Sequence, residues 1–291
     1  MTGAPAPAIA GATQLTGAAM NPDLPLSGLR GLCMAANVPG PAAAALLAAQ
    51  GMEIVKIEPP AGDMTAGLMP GWYAEMNGGF AVETVDLRAE AGQARFRELL
   101  GGADLLISSH RPAALARLGI TVEALAAVNS GLCWVEIVGD TDAPEVPGHD
   151  LTYQAAVGLV DPRAMPRTLL ADLGGAEATA GAAAALLLGR ERGRPGRHAR
   201  IGLRQVAERF AAPVRHGATV AGGLLSGAGS DYAIYPLRDG WVACAALEPH
   251  FSARLTEVAG DDAAGFFAAL TMDQVRALAE GSDLPLEPFS D

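Results

Sequence analysis

Short apolar runs alternate with segments of helical periodicity from about residue 26 to residue 215. A short apolar run bounded by turn residues is typical of a buried strand, whereas apolar residues spaced three and four apart are typical of a helix. The stretch over 59–80 begins with two prolines and predicts a loop. The predicted strands are 28–35, 53–58, 82–87, 104–108 and 132–138, and the predicted helices are 42–49, 89–100, 112–118 and 122–128.

Strands separated by helices of this length indicate βαβ units, which build a parallel sheet. The predicted fold class is therefore α/β, with a Rossmann-like parallel sheet in a large domain over 24–215. No G-x-G-x-x-G motif follows the first predicted strand, where the sequence reads AANVPGP. We therefore predict no dinucleotide site at that turn.

The pattern changes in the second half of the chain. Asp239-Gly240 separates two apolar runs and predicts a β-hairpin. We predict a small α+β domain over 216–291, and a flexible N-terminal extension over 1–23, which is rich in Ala, Gly, Pro and Thr. The other predicted segments are a broken helical region over 151–188, a basic turn over 189–200, a strand then helix over 201–212, hairpin strands over 232–235 and 241–246, and helices over 250–258 and 272–280.

Composition narrows the class of protein. Of the 291 residues, 50% are hydrophobic and 18% are charged, which excludes a disordered chain and a coiled coil. The net charge of −12 argues against a general nucleic-acid binder. Three widely spaced cysteines indicate neither a disulfide framework nor a zinc site. No apolar run predicts a membrane span, and no basic residue precedes Arg30 as a signal peptide requires, so we expect a cytoplasmic protein.

The first candidate for chemistry is His149, in Gly148-His149-Asp150 after the strand predicted at 132–138. Ligands of open α/β sheets bind beyond the carboxyl ends of the strands, and a histidine there is suited to act as a general base near neutral pH. The alternative is a loop histidine that caps a helix beginning at Asp150. The residues alone leave both interpretations open.

Three further residues have a functional and a structural interpretation. Asp172 precedes Gly174-Gly175 and is either the N-cap of an alanine-rich helix or a carboxylate placed at the positive end of the helix dipole. Glu248, before Pro249, is a solvated turn residue or a functional acid. Arg111 follows the strand predicted at 104–108 and is a surface residue or a phosphate contact.

Eight segments, taken together and in order, resemble those of a known protein family, although each segment alone is a weak match. They are LSGLRGL, EIVKIEPPAGD, DLLISSHRPAALARLGI, GHDLTYQAAVG, LLADLGG, GRERGRPGRHARIGL, YAIYPLRDGWVACAALEPHF and SDLPLEP. Over residues 26–289 the chain resembles the family III CoA-transferase superfamily, which also contains the α-methylacyl-CoA racemases. The resemblance implies the two-domain fold of that family.

The resemblance also implies roles for the candidate residues. Asp172 matches the aspartate that transferases use as a nucleophile, and His149 and Glu248 match residues that the racemases add. This set favours the racemase branch. There, His149 would take the α-proton of an acyl thioester on one face while protonated Asp172 supplies one on the other. Glu248 would orient His149, and backbone N–H groups at the start of the Asp172 helix would bind the enolate oxygen.

The CoA contacts implied by the resemblance are Arg111, Asn37, Val38 and Asp150. CoA is part of the substrate, and no metal or organic cofactor is expected. Two alternatives remain: a CoA-transferase with Asp172 as nucleophile, and a weakly active or inactive subunit that pairs with a full-length paralogue. The second alternative follows from two missing basic residues. The chain has Asn77-Gly78-Gly79-Phe80 where the family usually has Asn-Arg-Gly-Lys. We expect a shortened family member that forms a homodimer or such a heterodimer.

Overall fold

The structure is a computed structural model and describes residues 23–290. The extension predicted over 1–23 lies outside the described residues except for Asp23. The chain forms two compact units, and the boundary between them falls between Arg209 and Phe210, before the residue 215 expected from the sequence.

The first unit contains a six-stranded sheet in which every neighbouring pair of strands is parallel. The prediction of a parallel, Rossmann-like sheet is confirmed. The strand order is β3-β2-β1-β4-β5-β6, so the direction of winding reverses between β1 and β4. The strands are β1 (Arg30–Cys33), β2 (Glu53–Glu58), β3 (Ala81–Thr84), β4 (Leu105–Ser108), β5 (Cys133–Val138) and β6 (His198–Gly202).

Helices connect these strands and cover both faces of the sheet. The helices up to the unit boundary are α1 (Pro39–Ala49), α2 (Met64–Leu68), α3 (Pro70–Asn77), α4 (Glu90–Gly101), α5 (Pro112–Arg117), α6 (Val122–Val128), α7 (Asp150–Ala156), α8 (Leu170–Glu191) and α9 (Leu203–Phe210). On one face α1 and α8 pack against each other through buried alanines such as Ala43, Ala44 and Ala183. Small side chains let two helices approach closely, which explains why both segments are rich in alanine. On the other face, α4, α5 and α6 bury residues such as Phe96, Leu115 and Leu125.

One prediction made for this unit is wrong, and the structure excludes one of the two alternatives for Asp172. The stretch over 59–80 is not a loop, because it contains α2 and α3. The Asp63 side chain accepts a hydrogen bond from the Thr65 N–H and caps α2, and Pro70 occupies the first turn of α3. The helix that carries Asp172 begins at Leu170, so Asp172 lies in its first turn and is not the N-cap.

The second unit contains a three-stranded antiparallel sheet in the order β7-β8-β9. The predicted hairpin is confirmed as β7 (Tyr232–Pro236) and β8 (Trp241–Ala245), whereas the edge strand β9 (Leu286–Phe289) was not predicted. Pro288 interrupts the strand pattern there, and proline is tolerated only at an edge or a bulge. The helices of this unit are α10 (Ala212–Arg215), α11 (Pro249–Ala259), α12 (Ala263–Ala268) and α13 (Met272–Ser282).

No helix within residues 23–290 is both long enough and apolar enough to cross a membrane.

Candidate active site

A cavity of about 720 Å³ lies in the first unit, at the carboxyl ends of β1, β4 and β5. This is the edge of a parallel sheet at which ligands bind when the strand order reverses. The turn after β1 contributes Asn37, the loop after β4 contributes Ser109 and the end of β5 contributes Gly139. Helix α2 and the loop before α7 form further walls.

The cavity brings together most of the residues singled out in the sequence. Five of them line it: Asn37, Val38, Arg111, His149 and Asp172. The first and last of these residues, Asn37 and Asp172, are 135 positions apart in the chain, so the fold, and not local sequence, gathers the set.

His149 is the N-cap residue of a helix and also lines the cavity. Helix α7 begins at Asp150, and His149 is its N-cap residue, as the structural interpretation predicts. Its backbone N–H donates to the hydroxyl oxygen of Thr152 at 3.0 Å, which fixes the backbone of the loop. Its side chain nevertheless lines the cavity, where a proton acceptor is useful.

Asp150 connects the start of α7, where His149 is the N-cap residue, to the start of α8, which carries Asp172. Its Oδ1 accepts the backbone N–H groups of Ala171 at 2.7 Å and Asp172 at 3.1 Å, and its Oδ2 accepts the Gln154 amide at 2.5 Å. Asp150 is only 5% exposed and is not among the residues that line the cavity. The structure therefore gives its carboxylate a part in fixing the start of α8, and its predicted contact with CoA stays a prediction.

The same hydrogen bonds correct the expected enolate-binding site. The sequence predicts that backbone N–H groups at the start of the Asp172 helix are donors for an enolate oxygen. Asp150 already accepts from Ala171 and Asp172, and the Leu173 N–H donates to the Leu169 carbonyl at 2.9 Å. Because these three N–H groups are occupied, that prediction is wrong for them.

The environment of Asp172 changes its acidity. Burial of the side chain, together with the negative charge of Asp150, raises the pKa of Asp172 to about 7. A carboxyl group with this pKa is present in both protonation states at neutral pH. It can therefore donate a proton as an acid or act as a base or nucleophile once ionised.

A comparison with known protein families shows to which family the chain belongs. Residues 26–281 match the family model described as CoA-transferase family III. This chain belongs to that family. Its fold agrees with solved family structures: it matches Rv3272 of Mycobacterium tuberculosis with a TM-score of 0.75 at 22% identity, covering 90% of this chain and 84% of that one. It matches a CAIB/BAIF family protein of Brucella suis with a TM-score of 0.77 at 21% identity, covering 92% and 84%.

Curated relatives of this family III chain carry transferase names. The probable fatty acyl-CoA transferase Rv3272 is 30% identical over 191 residues, covering 59% of this chain and 48% of the relative. The succinyl-CoA:(R)-benzylsuccinate CoA-transferase subunit BbsE of Thauera aromatica is 35% identical over 139 residues, covering 42% and 33%. The family III chain thus spans about half or less of the length of these relatives in the matched regions.

Glu248 lies in the second unit of the family III chain, where it is the N-cap residue of α11. Its predicted role, to orient His149, stays a prediction. Arg111 is exposed at the N-cap of α5 and lines the cavity in the first unit, so it is accessible to an anionic ligand.

Tyr153 is a cavity residue that the sequence did not reveal. It is 8% exposed, and its ring packs against Gly139 and Gly148, where an added Cβ atom would overlap the phenol. Burial raises the pKa of Tyr153, and the nearby carboxylates of Asp172 and Asp140 raise it further. The only signal in the sequence is the pair of glycines that flank the loop before α7, and one sequence cannot distinguish them from ordinary turn residues.

His110 is a second cavity residue that the sequence did not single out from its neighbour Arg111. Burial lowers the pKa of His110, and its Nδ1 is buried without a hydrogen-bond partner within the described part of the chain. Protonation would leave a buried N–H without an acceptor, which is costly. The imidazole therefore presents a neutral wall to the cavity. Within residues 23–290 no group of three or more His, Cys, Asp or Glu side chains is arranged to hold a metal ion.

Proposed function

We propose that this family III protein is a racemase or epimerase of 2-methyl-branched acyl-CoA thioesters. The observation that carries the proposal is that His149 and Asp172 line one cavity, where Asp172 has a pKa of about 7. Inversion of the α-carbon needs one proton acceptor and one proton donor on opposite faces. A histidine imidazole as proton acceptor and a protonated aspartic acid as proton donor form such a pair.

The reaction moves two protons and no other group. His149 takes the α-proton, and the electron pair of the C–H bond moves into the thioester carbonyl to give an enolate. Asp172 then gives its proton to the opposite face of the α-carbon, and the enolate collapses to the inverted thioester. The products of this step are imidazolium and carboxylate, so the reverse reaction uses Asp172 as base and His149 as acid.

Two elements of this proposal rest on the family resemblance. Glu248 is proposed to orient His149, as a third group orients the base in other catalytic triads. Arg111, with Asn37 and Val38, is proposed to contact the CoA moiety. A guanidinium group is well suited to phosphate because its N–H groups pair with two oxygens at once.

A CoA-transferase is the second candidate, because the curated relatives reported above are named as CoA-transferases. In that reaction ionised Asp172 would attack the thioester carbonyl and expel the CoA thiolate, leaving a mixed anhydride. The thiolate would then attack the aspartyl carbonyl of the anhydride, releasing the first acid and leaving an aspartyl-CoA thioester. An acceptor carboxylate would attack that thioester and expel the thiolate, giving a second mixed anhydride. The thiolate would then attack the acceptor acyl carbonyl, forming the acceptor thioester and releasing the Asp172 carboxylate.

One experiment separates the two candidates. The protein is incubated with a 2-methylacyl-CoA in D2O, with and without an added carboxylate, and both α-deuteration and CoA transfer are followed. The racemase proposal predicts deuteration of both enantiomers without an acceptor, and in His149→Ala its loss from the enantiomer whose proton faces His149. CoA transfer to the added acid without deuteration, lost in Asp172→Ala, would favour the transferase and overturn the proposal.

A further inference from the structure

A buried ionic cluster lies directly behind two walls of the cavity. Lys56 is fully buried, and its Nζ lies 2.9 Å from Glu58 Oε1 and 2.8 Å from Asp63 Oδ2. The Tyr73 hydroxyl donates to Glu58 at 2.8 Å, and Lys56 Nζ lies 5.0 Å from the centre of the Tyr73 ring. Neither Lys56 nor either carboxylate lines the cavity, so the proposed reaction does not use the cluster directly.

Only one of the two carboxylates in the cluster reaches residues that line the cavity. Asp63 accepts the backbone N–H of Asn37 at 3.2 Å, and it accepts the Thr65 N–H at 3.0 Å and the Thr65 hydroxyl at 2.7 Å. Both Asn37 and Thr65 line the cavity. Burial alone would raise the pKa of Asp63, but the hydrogen bonds from Lys56 and Thr65 hold it below its ordinary value.

The backbone of Asn37 needs such support. Its φ is +65°, in the left-handed region that residues with a side chain rarely adopt. This conformation turns the chain from β1 into α1 at the edge of the cavity. Because Asp63 also caps α2, one carboxylate fixes the turn after β1 and the start of α2 together.

We propose that Asp63, held by buried Lys56, is a positioning residue that sets the spacing of the two cavity walls formed by Asn37 and Thr65. The inference rests on the proposed function only in taking the cavity as the binding site of the CoA thioester. It also accounts for an unusual feature of the composition, since Lys56 is the one lysine in a chain with 20 basic residues. A compact ammonium group donates to two carboxylates at one point, whereas a planar guanidinium group needs more room.

The charges of the cluster provide a matched pair of variants. Lys56 has one positive charge against two carboxylates, so removing either carboxylate leaves a balanced pair and no uncompensated buried charge. Asp63→Gln would change the volume of the side chain, and Lys56→Met would leave both carboxylates without a positive partner. Asp63→Asn and Glu58→Gln keep the shape of the side chain. Glu58 contacts Lys56 and Tyr73, neither of which lines the cavity. Glu58→Gln is therefore the control for Asp63→Asn.

Two measurements on the full chain test the proposal. The first is binding of coenzyme A by calorimetry, and the second is amide hydrogen exchange in peptides that contain Asn37 and Thr65. In Asp63→Asn, an amide NH2 group replaces one carboxylate oxygen and faces N–H or O–H donors that need an acceptor. We expect coenzyme A to bind about tenfold or more weakly, the scale of a lost hydrogen bond to a charged group, and the two peptides to exchange faster. Glu58→Gln should leave binding within about twofold and leave exchange in these peptides unchanged.

The outcomes separate this inference from the proposed function. Equal effects of the two substitutions on binding and on exchange would overturn it, because the cluster would then serve only the stability of the fold. Unchanged exchange in Asp63→Asn would overturn it as well. If the unaltered protein does not bind coenzyme A, the assignment of the cavity fails, and the exchange measurement still decides whether Asp63 positions the two walls.

Discussion

Asp150 both positions Asp172 and tunes it: the Asp150 carboxylate accepts the Asp172 backbone N–H at 3.1 Å, and its negative charge helps raise the pKa of the Asp172 side chain to about 7. Asp150, which follows the proposed base His149 in the sequence, thus helps to set the backbone position and the pKa of the proposed acid Asp172. A carboxyl group near the start of a helix would ordinarily be stabilised in its ionised form by the helix dipole. Here burial and a second carboxylate have the opposite effect.

Asp150→Asn should lower the pKa of Asp172, because the amide keeps an oxygen for the backbone N–H groups but removes the charge. The proposed acid would then lose its proton at a lower pH, and the alkaline limb of the rate profile should move to lower pH. The measurement is kcat/KM against pH, for the direction of reaction that needs protonated Asp172. Asp161→Asn is the control, since Asp161 pairs with exposed Arg163 in a loop and should leave the profile unchanged. A profile of Asp150→Asn identical to that of the unaltered protein would contradict the account.

Asp172→Asn should make the folded protein more stable at alkaline pH. The folded-state pKa of Asp172, about 7, lies above the ordinary 3.8. As the pH rises from about 4 to 7, the unfolded chain loses this proton while the folded protein still holds it, so the free energy of unfolding falls. The substitution removes this cost, which is at most about 4 kcal/mol above pH 7. Chemical unfolding at pH 4 and pH 8 measures it. An equal effect of the substitution at both pH values would contradict a raised pKa.

Gly139→Ala and Gly148→Ala should each displace Tyr153 and cost about 1–3 kcal/mol of stability, the usual effect of overpacking a buried site. The two glycines differ in what a Cβ atom would meet. At Gly139 it would overlap the Tyr153 hydroxyl, whereas at Gly148 it would also overlap the ring carbons. Tyr153→Phe should therefore rescue Gly139→Ala and not Gly148→Ala. Thermal melts of the two double variants test this, and equal rescue of both would show that the phenol is placed differently.

Arg111→Ala should weaken binding of coenzyme A by about tenfold or more if its guanidinium contacts a phosphate, the loss expected for a charge-assisted hydrogen bond. The loss should shrink at high salt, because an exposed charge is screened. Arg117, exposed at the end of the same helix α5 and absent from the cavity, supplies the control Arg117→Ala. Equal weakening by the two substitutions would indicate a general effect of net charge and no phosphate contact at Arg111.

The sequence predicts the sheet well because its strands have strong local signals. Strand β2 is found at its predicted bounds, 53–58, since Gly51 and Pro59 mark its two ends. Helix α2 was missed because it is five residues long and its cap depends on Asp63, whose conformation is fixed by buried Lys56. Helix propensity within so short a segment is too weak to reveal it.

The candidate site was only partly predictable for a similar reason. His149 and Asp172 stand in recognisable motifs, and the structure brings both to one cavity. The hydrogen bond that the Ala171 N–H at the start of α8 donates to Asp150 joins residues 21 positions apart and has no local signal. Burial and the negative charge of Asp150 raise the pKa of Asp172, and Asp150 occupies expected enolate donors, so both features of the site required the tertiary structure.

Exchange of single enantiomers in D2O shows whether His149 and Asp172 act on opposite faces of one α-carbon. Each single enantiomer of a 2-methylacyl-CoA is incubated with the unaltered protein, with His149→Ala and with Asp172→Asn, and deuteration and configuration at the α-carbon are followed by NMR and chiral analysis. We predict that the unaltered protein deuterates and inverts both enantiomers. Asp172→Asn should deuterate only the enantiomer whose proton faces His149, with retention, and His149→Ala should deuterate only the other, while inversion falls by about a hundredfold or more in each. Loss of exchange from both enantiomers in either variant, or CoA transfer with no exchange in the unaltered protein, would contradict the two-base account.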